Sequence, residues 1–164
     1  MLTPTIVKVD EKRIAGLQIR TTNEAEFGPN AKIGALWQRY YTEGYPSSTP
    51  QQTDPGVVYG IYSEYEIDET GAYSLLVGVE VEKEASIPAE LTVTTVPAAT
   101  YAVFTTRVGP LVEVVTEAWA KIWEWSKQPG NKRTFIADFE RYDGIRCADP
   151  NHAQVDIYIA LSEE

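Results

Sequence analysis

Hydrophobic positions follow the same order twice along the chain. In each half, a strand-like stretch precedes a segment of helical periodicity that carries a tryptophan, Trp37 or Trp119, and two stretches with alternating apolar residues follow. The offset between the halves is steady, since the tryptophans are 119 − 37 = 82 positions apart and Val77 and Ile157 are 157 − 77 = 80 apart. The pattern predicts two copies of a β-α-β-β unit, and the line where the copies meet, here called the seam, is the expected place for a functional site.

Two helices are predicted, over 27–44 and 110–128. Apolar residues of the first fall at i, i+3, i+4 and i+7 and therefore share one face: Ile33, Leu36, Trp37 and Tyr40. The second begins at Pro110, a residue favoured at the first helical position, and ends before Pro129 and Gly130. We expect Trp119 and Trp123 to pack as core residues and Trp125 to cap the helix face.

Seven strands are predicted, over 13–22, 57–65, 73–83, 91–97, 99–109, 134–144 and 153–162. Alternate side chains of a strand point to opposite faces. Leu75 to Val81 and Val155 to Leu161 each supply a continuous apolar set, which we expect to pack under the helices. The helix-free face then carries the alternate positions of these two strands, among them Gly78, Glu80, Asp156 and Tyr158.

These elements predict an α+β fold in which the duplicated units form one mainly antiparallel, concave sheet with two helices on its outer face. The chain has 164 residues, a length typical of a single domain. We therefore expect one domain over 1–164, with repeat halves of about 1–88 and 89–164.

Composition narrows the classes of partner. Lys and Arg number 14 against 24 Asp and Glu, a formal charge of −10, and no basic stripe is present. Direct binding to nucleic acid or to an anionic membrane is not expected, whereas a cationic partner is favoured. A single cysteine, Cys147, and a single histidine, His152, give no basis for a disulfide, a zinc site or a catalytic triad. No metal or cofactor is predicted, and without an apolar signal segment the protein is expected to be cytoplasmic.

The predicted site combines tyrosines with carboxylates on the helix-free face at the seam. Glu140 is the first choice for the acid, with Tyr142 and Tyr158 beside it and Tyr62 from the other half, because aromatic faces and a carboxylate favour flat, lipophilic cations. An offset of 78 residues between the halves pairs Tyr62 with Glu140, and an offset of 80 pairs Gly78 with Tyr158. We expect a concavity where the Tyr158 ring faces Gly78, which has no side chain. The remaining predicted ligand-binding residues are Trp37, Glu80 and Asp156.

An alternative explanation of the same residues is purely structural. Aromatic residues in strands are often cross-strand packing pairs, and Glu80 fits a solvated strand position. Asp156 could accept a hydrogen bond from a tyrosine without contacting any ligand. Which of Glu140, Glu80 and Asp156 is the pocket acid stays open at this point.

The ordered motifs resemble the GyrI-like effector-binding superfamily, which is related to the ligand-binding domains of AraC-type and MerR-type multidrug-responsive regulators. The second half carries VPAATYAVFTTRVGP, WEWSKQPG, ADFERYD and VDIYIAL, and the first half carries IAGLQIRTT, LWQRYY and YSLLVGVEV. The resemblance implies the doubled β-α-β-β fold. It also implies that Glu140, within FERYD, matches the acidic residue with which several members engage cationic, lipophilic drugs.

The leading hypothesis is a stand-alone small-molecule binding protein for cationic amphipathic compounds, which senses or sequesters them. The chain leaves no room for a helix-turn-helix, so a transcriptional role would need a partner regulator. One alternative is a hydrolase of the GyrI-like cyclopropanoid type, for which Glu140 would be the catalytic acid or base. A further alternative is a gyrase-inhibitor-like protein that acts on a macromolecule through its acidic surface.

Overall fold

The computed structural model describes residues 3–162, which form eight strands and four helices. The strands are β1 Thr5–Val9, β2 Lys12–Thr21, β3 Val57–Ser63, β4 Tyr73–Val81, β5 Thr92–Val96, β6 Ala99–Thr105, β7 Ala137–Asp143 and β8 Asp156–Leu161. The helices are α1 Asn23–Glu26, α2 Ile33–Thr42, α3 Tyr45–Ser48 and α4 Leu111–Ser126. All predicted elements are present, whereas β1, α1 and α3 were not predicted. The ends of the predicted domain, 1–2 and 163–164, lie outside the described residues.

All eight strands belong to one antiparallel sheet, in the order β1-β6-β8-β7-β3-β4-β2-β5. The order is palindromic, because β6-β8-β7 of the second unit mirrors β2-β4-β3 of the first, and the units meet where β3 pairs with β7. The strand preceding each unit is exchanged: β1 pairs with β6, and β5 pairs with β2. The predicted α+β class and shared antiparallel sheet are therefore confirmed.

The register at the seam corrects the alignment of the two halves. The terminal pairs of β3 and β7 are Val57 with Asp143 and Ser63 with Ala137, and an offset of 80 residues interchanges them. The same offset maps Gly60 onto Glu140 (140 − 60 = 80), and these two residues lie directly opposite each other. The predicted equivalence of Tyr62 and Glu140 is wrong by two residues, because it used an offset of 78.

Both faces of the sheet are packed. On one face, α2 buries Leu36 and Tyr40 and α4 buries Val114, Ala118 and Ile122. The other face is concave, and the sheet curls until side chains from both edges, such as Val7 of β1 and Val96 of β5, join one apolar cluster. The helix-free face is therefore largely a second core and not the pocket of tyrosines and carboxylates that the sequence predicted.

Local sequence explains where the two long helices begin and end. α2 ends two residues before Gly44, whose φ of 74° is in the left-handed region that glycine adopts without strain. Pro110 is the N-cap of α4, so the helix begins one residue later than predicted. None of the helices within residues 3–162 is both long and apolar enough to cross a membrane.

Gly78 has a structural position that differs from the predicted one. It was expected to face Tyr158, but it pairs with Gly16 on β2 and with Tyr59 on β3. A Cβ at Gly78 would lie 2.2 Å from the carbonyl oxygen of Ala15, and a Cβ at Gly16 would lie 1.8 Å from that of Val77. The two glycines therefore permit a close backbone approach within the curled sheet.

Gly78→Ala is expected to lower the free energy of unfolding by about 2–3 kcal/mol, because the added methyl group meets backbone that cannot move aside. Urea unfolding monitored by tryptophan fluorescence measures the change. Gly34→Ala in α2 is the matched control, because nothing lies within 4 Å of its added Cβ; it should stabilise by about 0.5–1 kcal/mol. Equal effects of the two variants would contradict the close approach.

Candidate functional site

Glu140 lies on the helix side of the sheet and not on the helix-free face as predicted. It pairs with Gly60 on β3 and Ile157 on β8, and Gly60 in turn pairs with Val77 on β4. Residues paired across strands share a face, so Glu140 shares its face with two core residues that pack under the helices. Its residual exposure is 2%.

Three neutral donors surround the Glu140 carboxylate. Oε2 accepts hydrogen bonds from Nε1 of Trp119 at 2.7 Å and from the hydroxyl of Tyr62 at 3.1 Å, and Oε1 accepts one from the hydroxyl of Tyr142 at 2.8 Å. Burial raises the pKa of Glu140, and these three hydrogen bonds act against that rise. Burial, together with the nearby Glu140 carboxylate, raises the pKa values of Tyr62 and Tyr142, so both hydroxyls remain donors.

Glu140 has no cationic partner among the described residues, in contrast to the neighbouring buried carboxylate on β7. Asp138 lies on the same face, is fully buried, and accepts a hydrogen bond from the Arg133 guanidinium at 2.7 Å. It also accepts hydrogen bonds from the Tyr65 hydroxyl at 2.6 Å and from the Ala160 N–H at 2.8 Å. The strand thus carries one carboxylate with an internal counter-charge and one without.

Aromatic rings from both repeats enclose Glu140. The ring of Trp37 in α2 packs edge to face against Tyr142, with ring centroids 4.9 Å apart and an interplanar angle of 72°. Tyr62 packs edge to face against Trp119 of α4, with centroids 5.3 Å apart and an angle of 70°. Tyr41, which is 54% exposed, stacks on Trp37 at the surface. These rings place aromatic faces and edges around the carboxylate between α2 and α4.

Gly60 provides space for this arrangement. A Cβ at this position would lie 3.0 Å from Oε1 of Glu140 and 3.5 Å from Cζ2 of Trp37. Gly60 was not among the predicted residues, although the offset of 80 already measured from Val77 and Ile157 would have paired it with Glu140. Trp119 was also missed as a site residue, because its apolar helical spacing indicated only a core role.

The structure brings together only part of the predicted set. Glu140, Tyr142, Tyr62 and Trp37 form one cluster on the helix side, whereas the other four residues lie on the opposite face: Tyr158, Gly78, Glu80 and Asp156. Strand pairing causes this division, since Tyr158 pairs with Phe139, whose side chain points away from that of Glu140.

The three large side chains on the opposite face have internal partners. Tyr158 stacks on Phe139 with centroids 4.4 Å apart. Asp156 forms an ion pair with Arg146 at 2.8 Å and accepts a hydrogen bond from Thr105, and Glu80 lies 3.4 Å from the Lys12 ammonium. Within residues 3–162, no group of three or more His, Cys, Asp and Glu side chains is arranged to hold a metal ion.

Comparisons with known proteins bear on this arrangement. The sequence model of the family Cass2, described as integron-associated effector binding protein, matches residues 5–161. A protein of Bacillus subtilis (strain 168) named "Putative transcriptional regulator protein YobU" is 38% identical over 158 residues, which cover 96% of this chain and 97% of that protein.

Two solved structures resemble the fold over nearly the whole chain. An integron cassette protein from the mobile metagenome of Vibrio cholerae has a TM-score of 0.78 at 31% identity and covers 98% of this chain and 97% of its own. SAV2435, whose structure was solved bound to tetraphenylphosphonium, also has a TM-score of 0.78, at 20% identity with coverage of 98% and 94%. The second likeness is one of fold alone.

Proposed function

The chain belongs to the Cass2 family of integron-associated effector binding proteins, and on that premise we propose that it binds a lipophilic organic cation between α2 and α4, with Glu140 as the counter-charge. One observation carries the proposal: the Glu140 carboxylate is buried, and its three hydrogen-bond donors are all neutral. The resemblance to GyrI-like effector-binding domains agrees with this assignment.

A buried carboxylate without a counter-charge is electrostatically costly, even when hydrogen bonds satisfy its oxygens. A cation that reaches Glu140 relieves this cost and also gains about 0.5–2 kcal/mol from each favourable aromatic face. A hydrophilic cation lacks the apolar surface to pack against Trp37, Tyr62 and Trp119. The site therefore favours a cation whose charge is enclosed by flat, apolar groups.

Access to Glu140 requires movement of the rings that cover it. The Tyr142 hydroxyl bonds to Oε1, and Trp37 packs against the Tyr142 ring. Trp37 is only partly buried and lies beside the exposed Tyr41, so rotation of these α2 side chains would open a path from solvent to the carboxylate. Binding should therefore change the environment of Trp37.

Two probes of the same shape and opposite charge test the proposal. SAV2435 was crystallised with tetraphenylphosphonium, and tetraphenylborate is its anionic counterpart. We expect the cation to bind and to quench tryptophan fluorescence saturably, whereas the anion should not bind. Equal binding of both ions, or of neither, would overturn the proposal. Multiple turnovers of an electrophilic cyclopropane substrate, lost in Glu140→Ala, would instead favour the hydrolase alternative, which stays a prediction.

Affinity for tetraphenylphosphonium is expected to fall as the pH is lowered. Burial raises the pKa of Glu140 above its usual 4.5, and only the ionised carboxylate attracts the cation. Below the pKa of Glu140 in the free protein, each pH unit should lower the affinity up to about tenfold, because a proton must leave before the cation binds. Calorimetric titrations across this range measure the slope. A slope that persists in Glu140→Gln would assign the titration to another group.

A further inference from the structure

A groove opens on the helix-free face, beside the apolar cluster that fills the curled sheet. It lies between the edge strand β5 and the first residues of β7, and Gln18 of β2 and Ile61 of β3 contribute to its floor. Its volume is about 430 Å³, within the range of roughly 300–1,000 Å³ that small-molecule sites occupy. The β3–β4–β2 register places these side chains on the face opposite to Glu140.

Two residues beside this groove hold backbone conformations that are costly for any residue except glycine. Glu64 and Phe135 have φ values of 52° and 54°. Glu64 directly follows Ser63, the last residue of β3, and Phe135 lies two residues before Ala137, with which Ser63 pairs at the start of β7. Such conformations cost about 1–3 kcal/mol each and persist only where the surrounding structure imposes them.

Each of these two residues is held by a contact with an arginine. The Arg20 guanidinium donates to the carbonyl oxygen of Glu64 at 2.8 Å. On the other side of the groove, the guanidinium of Arg133 lies 4.2 Å from the centre of the Phe135 ring and is bound to Asp138. Neither contact involves Glu140, so the first site does not explain this rigid rim.

The groove has the chemistry of a hydroxyl-binding site with one negative charge. Four hydroxyl-bearing residues line it. Three of them, Ser63, Thr92 and Thr94, lie on the same face of the sheet as Gln18 and Ile61, and their side chains make no hydrogen bond within residues 3–162. Glu64 is the only charged lining residue, and its carboxylate receives one long bond, 3.4 Å, from the Gln18 amide. No Lys, Arg or His of the described chain lines the groove, so an anionic ligand is disfavoured.

From this combination we propose that the groove is a second binding site, for a small polyhydroxylated amine of the amino-sugar class. Ligand hydroxyls bond to the three hydroxyl-bearing side chains, and the ammonium group pairs with Glu64. The exposed apolar side chains of Pro97 and Ile136 contact the ring carbons. The site differs from the Glu140 site in both position and chemistry, because it binds a hydrophilic cation at an open surface.

A ¹⁵N–¹H NMR titration with glucosamine tests the second site. Saturable shifts are expected for the amides of Ser63, Glu64, Thr92 and Thr94, with a dissociation constant of about 1–10 mM. Glu64→Gln should weaken glucosamine binding about fivefold and leave glucose binding unchanged, since a solvent-exposed ion pair contributes up to about 1 kcal/mol. Thr94→Phe, which fills the groove, should abolish both titrations.

Two outcomes would overturn the second site. One is the absence of saturable shifts at these amides with about 50 mM glucosamine, well above the expected dissociation constant. The other is an unchanged titration of Thr94→Phe in a variant whose remaining spectrum matches that of the wild type. Glu140 lies on the other face of the sheet. Failure of tetraphenylphosphonium binding would therefore not affect the glucosamine titrations of the wild type and of Thr94→Phe.

Discussion

Glu140→Gln is expected to lower the affinity for tetraphenylphosphonium about a hundredfold, because removing one partner of a buried charge pair costs about 2–5 kcal/mol. Glutamine has nearly the same shape as glutamate, and its carbonyl oxygen can still accept from Trp119 and one tyrosine. The apolar contacts of the ligand therefore remain while the counter-charge is lost. Fluorescence titration of both proteins near neutral pH measures the ratio.

Glu124→Gln is the matched control for this experiment. Glu124 is a residue of α4, and its side chain is 76% exposed. Replacing its carboxylate with an amide changes the net charge by the same amount as Glu140→Gln. If the acidic field of the whole chain attracted the cation, both variants would lose equal affinity. The expected loss in Glu124→Gln is less than about twofold, because exposed charges are screened.

Glu140→Gln should not destabilise the protein in the absence of ligand. The pKa of Glu140 is raised in the folded state, so folding favours the protonated form and the unfolded chain releases its proton first. The contribution of Glu140 to stability is therefore greatest at low pH and is lost as the pH rises through the raised pKa. Near neutral pH, Glu140→Gln removes an unfavourable buried charge, so a loss of ligand affinity cannot be attributed to unfolding.

The repeat pattern was sufficient to predict the fold, because each unit is encoded by local periodicity. Trp37 and Trp119 mark α2 and α4, and alternation in β4 and β8 identifies their core faces. The exchange of β1 and β5 between the units was not predictable, since strand pairing depends on which free edge each short strand meets. Gly16 and Gly78 show the same limit: a glycine in a strand indicates close approach but does not identify its neighbour.

The site was predicted in part for a related reason. The alternation of side chains along β7 correctly placed Glu140 on the same face as Tyr142. Alternation within one strand cannot specify which face of β7 lies on the same side of the sheet as a given face of β8. Polar residues usually avoid a helix-covered face, and on that basis the sequence predicted Glu140 beside Tyr158 on the helix-free face. The register places Glu140 opposite Ile157 instead. A carboxylate among core residues contradicts ordinary patterning, and such local conflicts are typical of functional sites.

Arg133→Met should reveal the difference between the two buried carboxylates of β7. The side chains of Arg133 and Asp138 are 2% and 0% exposed, and Nη2 of Arg133 lies 2.7 Å from Oδ2 of Asp138. Loss of Arg133 leaves Asp138 as a buried charge whose remaining hydrogen-bond donors within residues 3–162 are the Tyr65 hydroxyl and the Ala160 N–H. We expect the free energy of unfolding to fall by about 3–5 kcal/mol, measured by urea denaturation near neutral pH.

Two further variants decide whether charge, and not lost packing, causes this effect. Arg39→Met removes the exposed ion pair with Glu43, whose side chains are 60% and 44% exposed, and should cost less than about 0.5 kcal/mol. Adding Asp138→Asn to Arg133→Met removes the uncompensated charge and should restore at least about 1 kcal/mol. A double variant no more stable than Arg133→Met would attribute the loss to packing. Recovery would instead show that the buried Asp138 carboxylate needs its cationic partner, the role that we propose a ligand plays for Glu140.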